Sequence, residues 1–224
     1  MAVQLDLLKK VDYFYDLSLD ELDSISKFVS EQRVEEDEVF LSEGKKSNYL
    51  YFVISGVVKI YKSSAEGREQ VLNLAVSGES LNDVSTFNGN ITAARCVAMT
   101  PAIVYKIRKK DMKIIVKKHP QVARNALKVL ASKVRRDALL VRDISFSNIT
   151  DRLAKMLLRY FTGAETDAWP WLTQRDMAAI VGTTREVVNR SLKDMEGKGA
   201  IRLKRRGVVI INKDVLEKMI KSSS

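Results

Sequence analysis

Cysteine is nearly absent from this chain. Cys96 stands alone, so no internal disulfide can form, and an iron–sulfur cluster held by four thiolates has no ligand set. Histidine is as scarce: His119 is the only one, which removes the usual Cys/His structural zinc site. With no nucleophile–base–orienter set and no metal cluster, the chain reads as a protein that is not an enzyme. No apolar run approaches the roughly 18 residues that suggest a membrane span. The N-terminus MAVQLDLLKK lacks the apolar stretch of a signal peptide, so the expected location is the cytoplasm, without a membrane partner.

What the chain does have is charge, unevenly placed. Its 224 residues are 46% hydrophobic and 29% charged, which suits one or two globular domains with real cores. The net charge is +10. Residues 1–110 hold 14 Lys/Arg against 16 Asp/Glu, whereas residues 111–145 hold 9 against 3 and residues 146–224 hold 15 against 9. The basic excess therefore lies wholly in the C-terminal half. That asymmetry favours a nucleic-acid footprint there.

Residues 5–30 read as helical, with Ser18 and Glu21 as a capping box and Leu19, Leu22, Ile25 and Val29 at helical spacing. From Val34 the period changes. The segments Val39–Leu41, Tyr49–Ile54, Val57–Tyr61, Gln70–Ala75, Cys96–Met99 and Ile103–Ile107 are short and rich in β-branched and aromatic residues, with glycine-bearing turns between them. Many short strands at regular spacing imply an antiparallel barrel or double-sheet jelly roll. Such a roll can enclose a small molecule or be filled by its own side chains.

Residues 111–146 read as a long helical stretch after Pro120. Leu127, Leu130, Val134, Val141 and Ile144 follow 3/4 spacing, with Asp137 interrupting at the same period. This stripe either packs on the chain's own roll or forms the seam of a coiled-coil dimer; spacing sustained for about three heptads favours the dimer. Phe146, Ser147 and Asn148 punctuate the helix as a candidate hinge, and Asn148 can cap a following helix with Asp151 at its third position. The loop ending in Trp169-Pro170-Trp171 reads as packing, and Ser222–Ser224 as a frayed tail. The expected domains are therefore a roll over 1–110, a dimerisation helix and hinge over 111–146, and a C-terminal domain over 147–224.

The stretch Leu172–Ile201 reads as two helices joined at Val181-Gly182-Thr183. Thr173 with Asp176 caps the first, which turns Met177, Ala178 and Ile180 inward; Thr183 with Glu186 matches a capping box for the second, which turns Val187, Val188, Leu192 and Met195 inward. Arg185, Glu186, Asn189 and Arg190 share its exposed face, spaced to meet base edges in a major groove. Helix–glycine–helix corners are common, and surface Arg/Glu pairs usually make only solvated salt bridges. The next segment raises the DNA reading: residues 201–204 and 208–211 form a β-hairpin around a basic tip, the wing of a winged helix. Lys204, Arg205 and Arg206 suit phosphate contacts.

Helix, β-roll, long dimer helix and winged helix in this order resemble the Crp/Fnr family of transcription regulators, over essentially the whole chain. Two segments carry the resemblance. Asn48–Val58 (NYLYFVISGVV) is similar to the cyclic-nucleotide-binding roll, and Ile180–Arg190 (IVGTTREVVNR) to the family's recognition helix. The implied fold class is α+β: an N-terminal antiparallel β-roll, a long dimerisation helix and a C-terminal winged helix-turn-helix. The implied partners are double-stranded DNA, a second copy of the chain and RNA polymerase. Arg185, Glu186 and Arg190 match the Arg-Glu-x-x-x-Arg pattern of the cAMP receptor branch, which implies a palindrome with GTGA-like half-sites. Thr173, Gln174 and Thr184 resemble the family's phosphate-contacting positions.

The roll departs from that branch where its ligand is held. In cAMP receptors a Gly-Glu pair holds the ribose and an Arg-Ser pair the cyclic phosphate; the matching positions here are Asn82-Asp83 and Ile91-Thr92. A Thr-Ser pair on the dimer helix falls at Asp137-Ala138. Arg95 lies three residues past Thr92 and so, by strand alternation, on the opposite face. A cyclic phosphate would lack its main charge-assisted partner. The resemblance thus implies an unidentified small effector other than cAMP near Asn82, Asp83, Ile91, Thr92, Asp137 and Ala138. Haem is disfavoured because His119, at the start of the long helix, reads as a surface residue, and Cys96 reads as a buried small hydrophobe rather than a redox switch. Three alternatives stay open: a cAMP-responsive regulator with a divergent pocket, an empty roll with constitutive DNA binding, and a ligand-sensing module whose winged helix makes protein contacts.

Overall fold

A computed structural model of the chain describes residues 3–89, 91–161, 172–204 and 207–221. Trp169-Pro170-Trp171, Arg205, Arg206 and the tail Ser222–Ser224 lie outside these. The chain divides into two compact units, residues 1–62 with 72–136 and residues 63–71 with 137–224.

The first unit begins with α1 (Leu5–Leu8), a 3-10 turn (Asp12–Phe14) and α2 (Leu19–Ser26), the last opened by the Ser18/Glu21 capping box. Residues 5–30 are therefore not one helical span. Val29, expected on the helix, instead opens β1 (Val29–Val34), which pairs antiparallel with a strand some 75 positions later; that partner lies too far along the chain for any local period to reveal it. The strands β2 (Val39–Leu41), β3 (Tyr49–Ser55), β4 (Val58–Ser63), β5 (Glu69–Ala75), β6 (Ser80–Leu81), β7 (Arg95–Ala98) and β8 (Ala102–Arg108) follow, with the short helix α3 (Asp83–Asn88) after β6. They form two four-stranded sheets, ordered β1-β8-β3-β6 and β2-β7-β4-β5. This is the antiparallel roll.

Strands β3 and β8 each serve two cores. Leu50, Phe52 and Ile54 point with Tyr105 and Ile107 into a cluster that includes Leu8, Tyr13, Phe14, Leu22, Ile25, Met112, Ile115 and Val122. The alternate residues Tyr51, Val53, Ala102 and Val104 fill the roll interior with Val34, Leu41, Val58, Leu81 and Cys96. Side chains alternate along a strand, so burial on both faces produces the continuous apolar run Tyr49–Ile54 in place of a polar/apolar alternation. Cys96 is buried, and that burial pushes its thiol pKa up to about 12, out of the reactive range.

The long helical stretch is two helices, α4 (Lys109–Lys118) and α5 (Pro120–Phe146). The break is at His119, with φ −124° and ψ 83°, because a residue preceding proline is pushed out of the helical region, while Pro120 fits the first turn of α5. His119 is not a surface residue. It is 8% exposed, with Nδ1 3.3 Å from Glu21 Oε1, since the break turns the ring back onto α2.

In the second unit Asn148 caps α6 (Ile149–Tyr160), its side chain accepting from the Asp151 N–H at 2.9 Å. Helices α7 (Gln174–Val181) and α8 (Arg185–Gly197), the antiparallel hairpin β9 (Ile201–Leu203) and β10 (Val208–Ile210), and α9 (Lys213–Lys221) complete it. Leu153, Leu157, Met177, Val188, Leu192, Met195 and Leu216 are buried in its core. No helix among the described residues is long and apolar enough to cross a membrane.

The turn between β3 and β4 places Gly56 at φ +82°, where an added Cβ would sit 2.6 Å from the Pro101 carbonyl oxygen. Gly56→Ala is expected to destabilise the first unit by about 2 kcal/mol or more. Urea unfolding checks this, and a variant as stable as the parent would contradict the close approach.

Candidate nucleic-acid interface and effector site

The turn between α7 and α8 is built by local hydrogen bonding. Thr173 opens α7 with a capping box: its hydroxyl oxygen accepts from the Asp176 N–H at 3.2 Å, and the Asp176 carboxylate accepts from the Thr173 N–H at 3.1 Å. Gly182 then takes the left-handed conformation, φ +71°, and both it and Thr183 donate their N–H groups to the Ala178 carbonyl. This is a glycine C-cap of the kind that ends many helices. It also corrects the expected capping box at Thr183. That residue is still part of the turn closing α7, so the N-cap of α8 falls one position later, at Thr184, with no side-chain cap bond. Glu186 consequently has a different partner. Its carboxyl is held below the ordinary range by its own backbone N–H first and by the Thr184 hydroxyl second.

The shifted start leaves the outward face as the spacing requires. Arg185, Glu186 and Arg190 are exposed and Asn189 is half-buried, while Val188, Ser191, Leu192 and Met195 are buried on the opposite side and Val187 is half-buried. Of the phosphate-contact candidates, Thr173 is exposed, although its hydroxyl also donates to Asp176 at 2.6 Å. Gln174 is half-buried, and the Thr184 hydroxyl is engaged by Glu186. Lys204 is exposed where β9 ends, its N–H donating to the Gly207 carbonyl. Arg205 and Arg206 lie outside the described residues. Two further exposed arginines, Arg175 at the second position of α7 and Arg202 on β9, add positive charge to the same elements. Their signal in the sequence was only their place beside a cap and opposite an inward Ile201.

In the roll, the candidate effector residues meet different fates. Asp83 is buried, and its carboxylate accepts from the Tyr13 hydroxyl at 2.5 Å, the Ser80 hydroxyl at 2.7 Å and the Lys133 ammonium on α5. Lys133 also donates to the Ser80 carbonyl at 2.7 Å and to the Ser80 hydroxyl oxygen at 2.9 Å. Burial pushes the Asp83 carboxyl upward, but Lys133 and the two hydroxyls outweigh it and hold the group below its ordinary range. Tyr13 is pushed up, by burial first and by the Asp83 charge second. Asn82 sits in the left-handed region at φ 69° and donates to the Tyr49 carbonyl at 2.8 Å, while its Oδ1 is buried without a partner. Thr92 is buried, and its Oγ1 also lacks a partner. Ile91 turns outward, 59% exposed. Arg95 is exposed and Cys96 buried, but Thr92 lies before β7, so strand alternation does not relate it to Arg95. Asp137 and Ala138 are exposed on α5. Lys133 was missed because its role depends on a partner 50 residues away.

Removing the Lys133 charge leaves a buried carboxylate unpaired. Lys133→Met is expected to cost about 3–5 kcal/mol. The contribution of the pair has a definite pH dependence. Asp83 has a folded pKa below its unfolded value, so the stability is fully present above the ordinary range near ~4 and is lost as pH falls through the depressed value. The stability gap between the parent and Asp83→Asn should therefore close in that acid window; urea midpoints measured from pH 6 down to 2 that run parallel would contradict the pairing.

Comparison with known proteins bears on both halves. Residues 31–119 match the family model of the cyclic nucleotide-binding domain, and residues 151–219 that of the Crp-like helix-turn-helix domain. A CRP-like cAMP-activated global transcriptional regulator from Mycobacterium tuberculosis is 29% identical over 181 residues, covering 78% of this chain and 81% of that protein. The cyclic AMP receptor protein of Thermus thermophilus is 25% identical over 196 residues, covering 88% and 90%. Among solved structures, the c-di-GMP responsive global regulator CLP of Xanthomonas campestris shares the fold with a TM-score of 0.78 at 19% identity, over 87% of this chain and all of that one. With a cyclic-nucleotide-binding roll followed by a Crp-like helix-turn-helix, the chain belongs to the Crp/Fnr family of transcription regulators.

Proposed function

We propose that this chain is a homodimeric regulator that reads a palindrome with GTGA-like half-sites, switched by a small effector in the roll other than cAMP. The observation that carries the reading is the exposed Arg185-Glu186-x-x-x-Arg190 face, on a helix whose start is fixed by the Gly182 turn. Each arginine suits bidentate donation to guanine O6 and N7, and Glu186 suits acceptance from cytosine N4. Asn189 adds an amide at the edge of the same face, and Lys204, Arg205, Arg206, Thr173 and Gln174 suit the flanking phosphates.

The dimer reading rests on α5. Leu127, Val134 and Val141 recur every seven residues and are 67%, 68% and 63% exposed in the single chain; Ile144 is exposed as well and Leu130 half-buried. An apolar heptad stripe of this length left in water fits a partner helix. Two copies would present their α8 helices to half-sites about one helical turn apart. Effector binding would shift a population between two placements of the DNA-binding halves, with Phe146, Ser147 and Asn148 as the hinge. RNA polymerase is the partner that a transcription regulator implies.

The effector reading rests on the roll. The segment 78–92 contains no arginine for a cyclic phosphate, and Asp83 is already saturated by internal donors. The orphaned Asn82 Oδ1 and Thr92 Oγ1 are two buried acceptors that a ligand with hydroxyl or amide donors would satisfy. A second reading, a cAMP-responsive regulator with a divergent pocket, is favoured by relatives named as cAMP-activated or as a cyclic AMP receptor. A cAMP titration separates the two: the first reading expects no change in DNA affinity.

Fluorescence anisotropy on a palindromic duplex tests the output. Arg185→Ala should cost about 1–3 kcal/mol against the matched duplex and relax preference at one base position. An equal loss on every sequence would contradict direct readout by this residue, and affinity indifferent to salt would contradict DNA binding altogether. For the seam, Val134→Glu should convert the dimer to a monomer in sedimentation velocity; a variant that stays dimeric would move the interface off this stripe.

A further inference from the structure

Helix α5 has a second working face, turned away from the apolar seam. On that side the first unit holds a cleft of about 350 Å³, walled by Asp12 from the N-terminal 3-10 turn, by Glu79 and Ser80 from the roll and by Lys128, Ser132 and Arg136 from the helix. The three helix residues are spaced i, i+4, i+8 and so form one stripe. None of the residues at which the family resemblance placed an effector lines it.

Several of its polar groups are already engaged. Glu79 accepts from Arg136 Nη1 at 3.2 Å, from Asn73 Nδ2 at 3.2 Å and from the Val76 N–H at 3.1 Å. Lys133, which also borders the cleft, is held by Ser80 and Asp83. What remains is informative. Arg136 Nε is buried without a hydrogen-bond partner. Lys128 and Ser132 are exposed and make no side-chain bond among the described residues, and neither does the Asp12 carboxyl. Burial first and the neighbouring Glu79 charge second raise Asp12 above the ordinary carboxylate range, so it is ready to meet a hydrogen-bond donor from a ligand.

We infer that this cleft binds a small phosphomonoester of a polyol, with its phosphate between Lys128 and Arg136 and its hydroxyls on Asp12 and Ser132. Lys128 and Arg136 lie two turns apart, near 12 Å along the axis, a span their long side chains close from both ends. The arginine and the lysine on one stripe match the charge and the acceptor oxygens of a phosphate. Asp12 lines the cleft together with the acidic Glu79, so a phosphate is repelled from that wall and a hydroxyl is accepted there, which sets the orientation. The volume falls in the lower part of the range for small-molecule sites, about 300–1,000 Å³. Because the stripe faces away from Leu127, Val134 and Val141, each chain carries its own site and occupancy does not compete with pairing. A bound ester would tie α5 to the roll at a point separate from the Lys133–Asp83 pair.

Calorimetric titration of the full-length protein tests this with four probes: ribose 5-phosphate, adenosine 5′-monophosphate, ribose and inorganic phosphate. Ribose 5-phosphate should bind, and Lys128→Ala and Arg136→Gln should each weaken it about tenfold or more, as loss of a charge-assisted contact does. Ribose should give no heat, and inorganic phosphate should bind more weakly than the ester. Equal affinity for the two esters assigns the site to a free sugar phosphate; tighter binding of adenosine 5′-monophosphate assigns it to a nucleotide. Absence of binding by both esters, binding untouched by Lys128→Ala, or inorganic phosphate binding as tightly as the ester would overturn the inference. Lys128 is exposed, so its alanine variant should keep the parent's unfolding midpoint, which guards against misreading a folding defect. Loss of DNA binding by the parent would sink the DNA reading and leave this titration standing.

Discussion

The Asp83 carboxylate is buried between the roll and α5, and Lys133 is the cation that makes its burial tolerable. Taking a carboxylate and an ammonium out of water costs several kcal/mol each, and only close geometry with the remaining lone pairs satisfied offsets it. Here the Tyr13 and Ser80 hydroxyls and the ammonium reach the carboxylate, and the Ser80 carbonyl and hydroxyl take the other two donors of the ammonium. The pair therefore fixes how α5 is rotated about its own axis. Once Lys133 points into the roll, Asn125 reaches the Tyr13 and Tyr15 carbonyls and Arg136 reaches Glu79, and the heptad stripe at Leu127, Val134 and Val141 has to face outward. One buried ion pair divides the helix into a face packed on its own chain and an apolar face left exposed.

The same division recurs in the sheets. Strands β3 and β8 are buried on both sides, one side closed by the N-terminal helices and α4, the other by the roll interior. A strand of that kind cannot slip by one residue without exchanging the contents of two cores, which pins its register strongly. The Gly56 turn closes β3, and the left-handed Asn82 follows β6, the strand that pairs with β3. In the winged helix the corresponding device is smaller: a single glycine C-cap at Gly182 sets where α8 begins and hence which residues face outward.

Much of this was legible residue by residue. The caps at Ser18, Asn148 and Thr173 and the glycine turns follow from interactions spanning at most four residues, and the strands β2 to β5, β7 and β8 from short runs rich in β-branched and aromatic residues between turns. The exposed face of α8 was legible for the same reason, even though its N-cap fell at Thr184 and not Thr183, because the face depends on the period and not on the first residue. The failures also share a cause. Val29 was assigned to a helix because its strand partner lies beyond any local window, and His119 to the surface because the turn before Pro120 folds it back onto Glu21. The internal partners of Asp83, Tyr13 and Lys133, were out of reach for the same reason, at 70 and 50 positions away.

By itself the sequence determined an antiparallel barrel or double-sheet roll ahead of a long helix, the winged helix with Arg185, Glu186 and Arg190 outward, and the apolar stripe on α5. Each of these is encoded in spacing, and spacing survives whatever the chain does at long range. Only the tertiary structure decided that Asp83 is bound to Lys133, that Asn82 and Thr92 hold unpaired acceptors, and that Lys128, Ser132 and Arg136 line a cleft with Asp12. Those facts depend on which distant segments meet, and a buried charge takes its chemistry from its neighbours in space rather than in sequence.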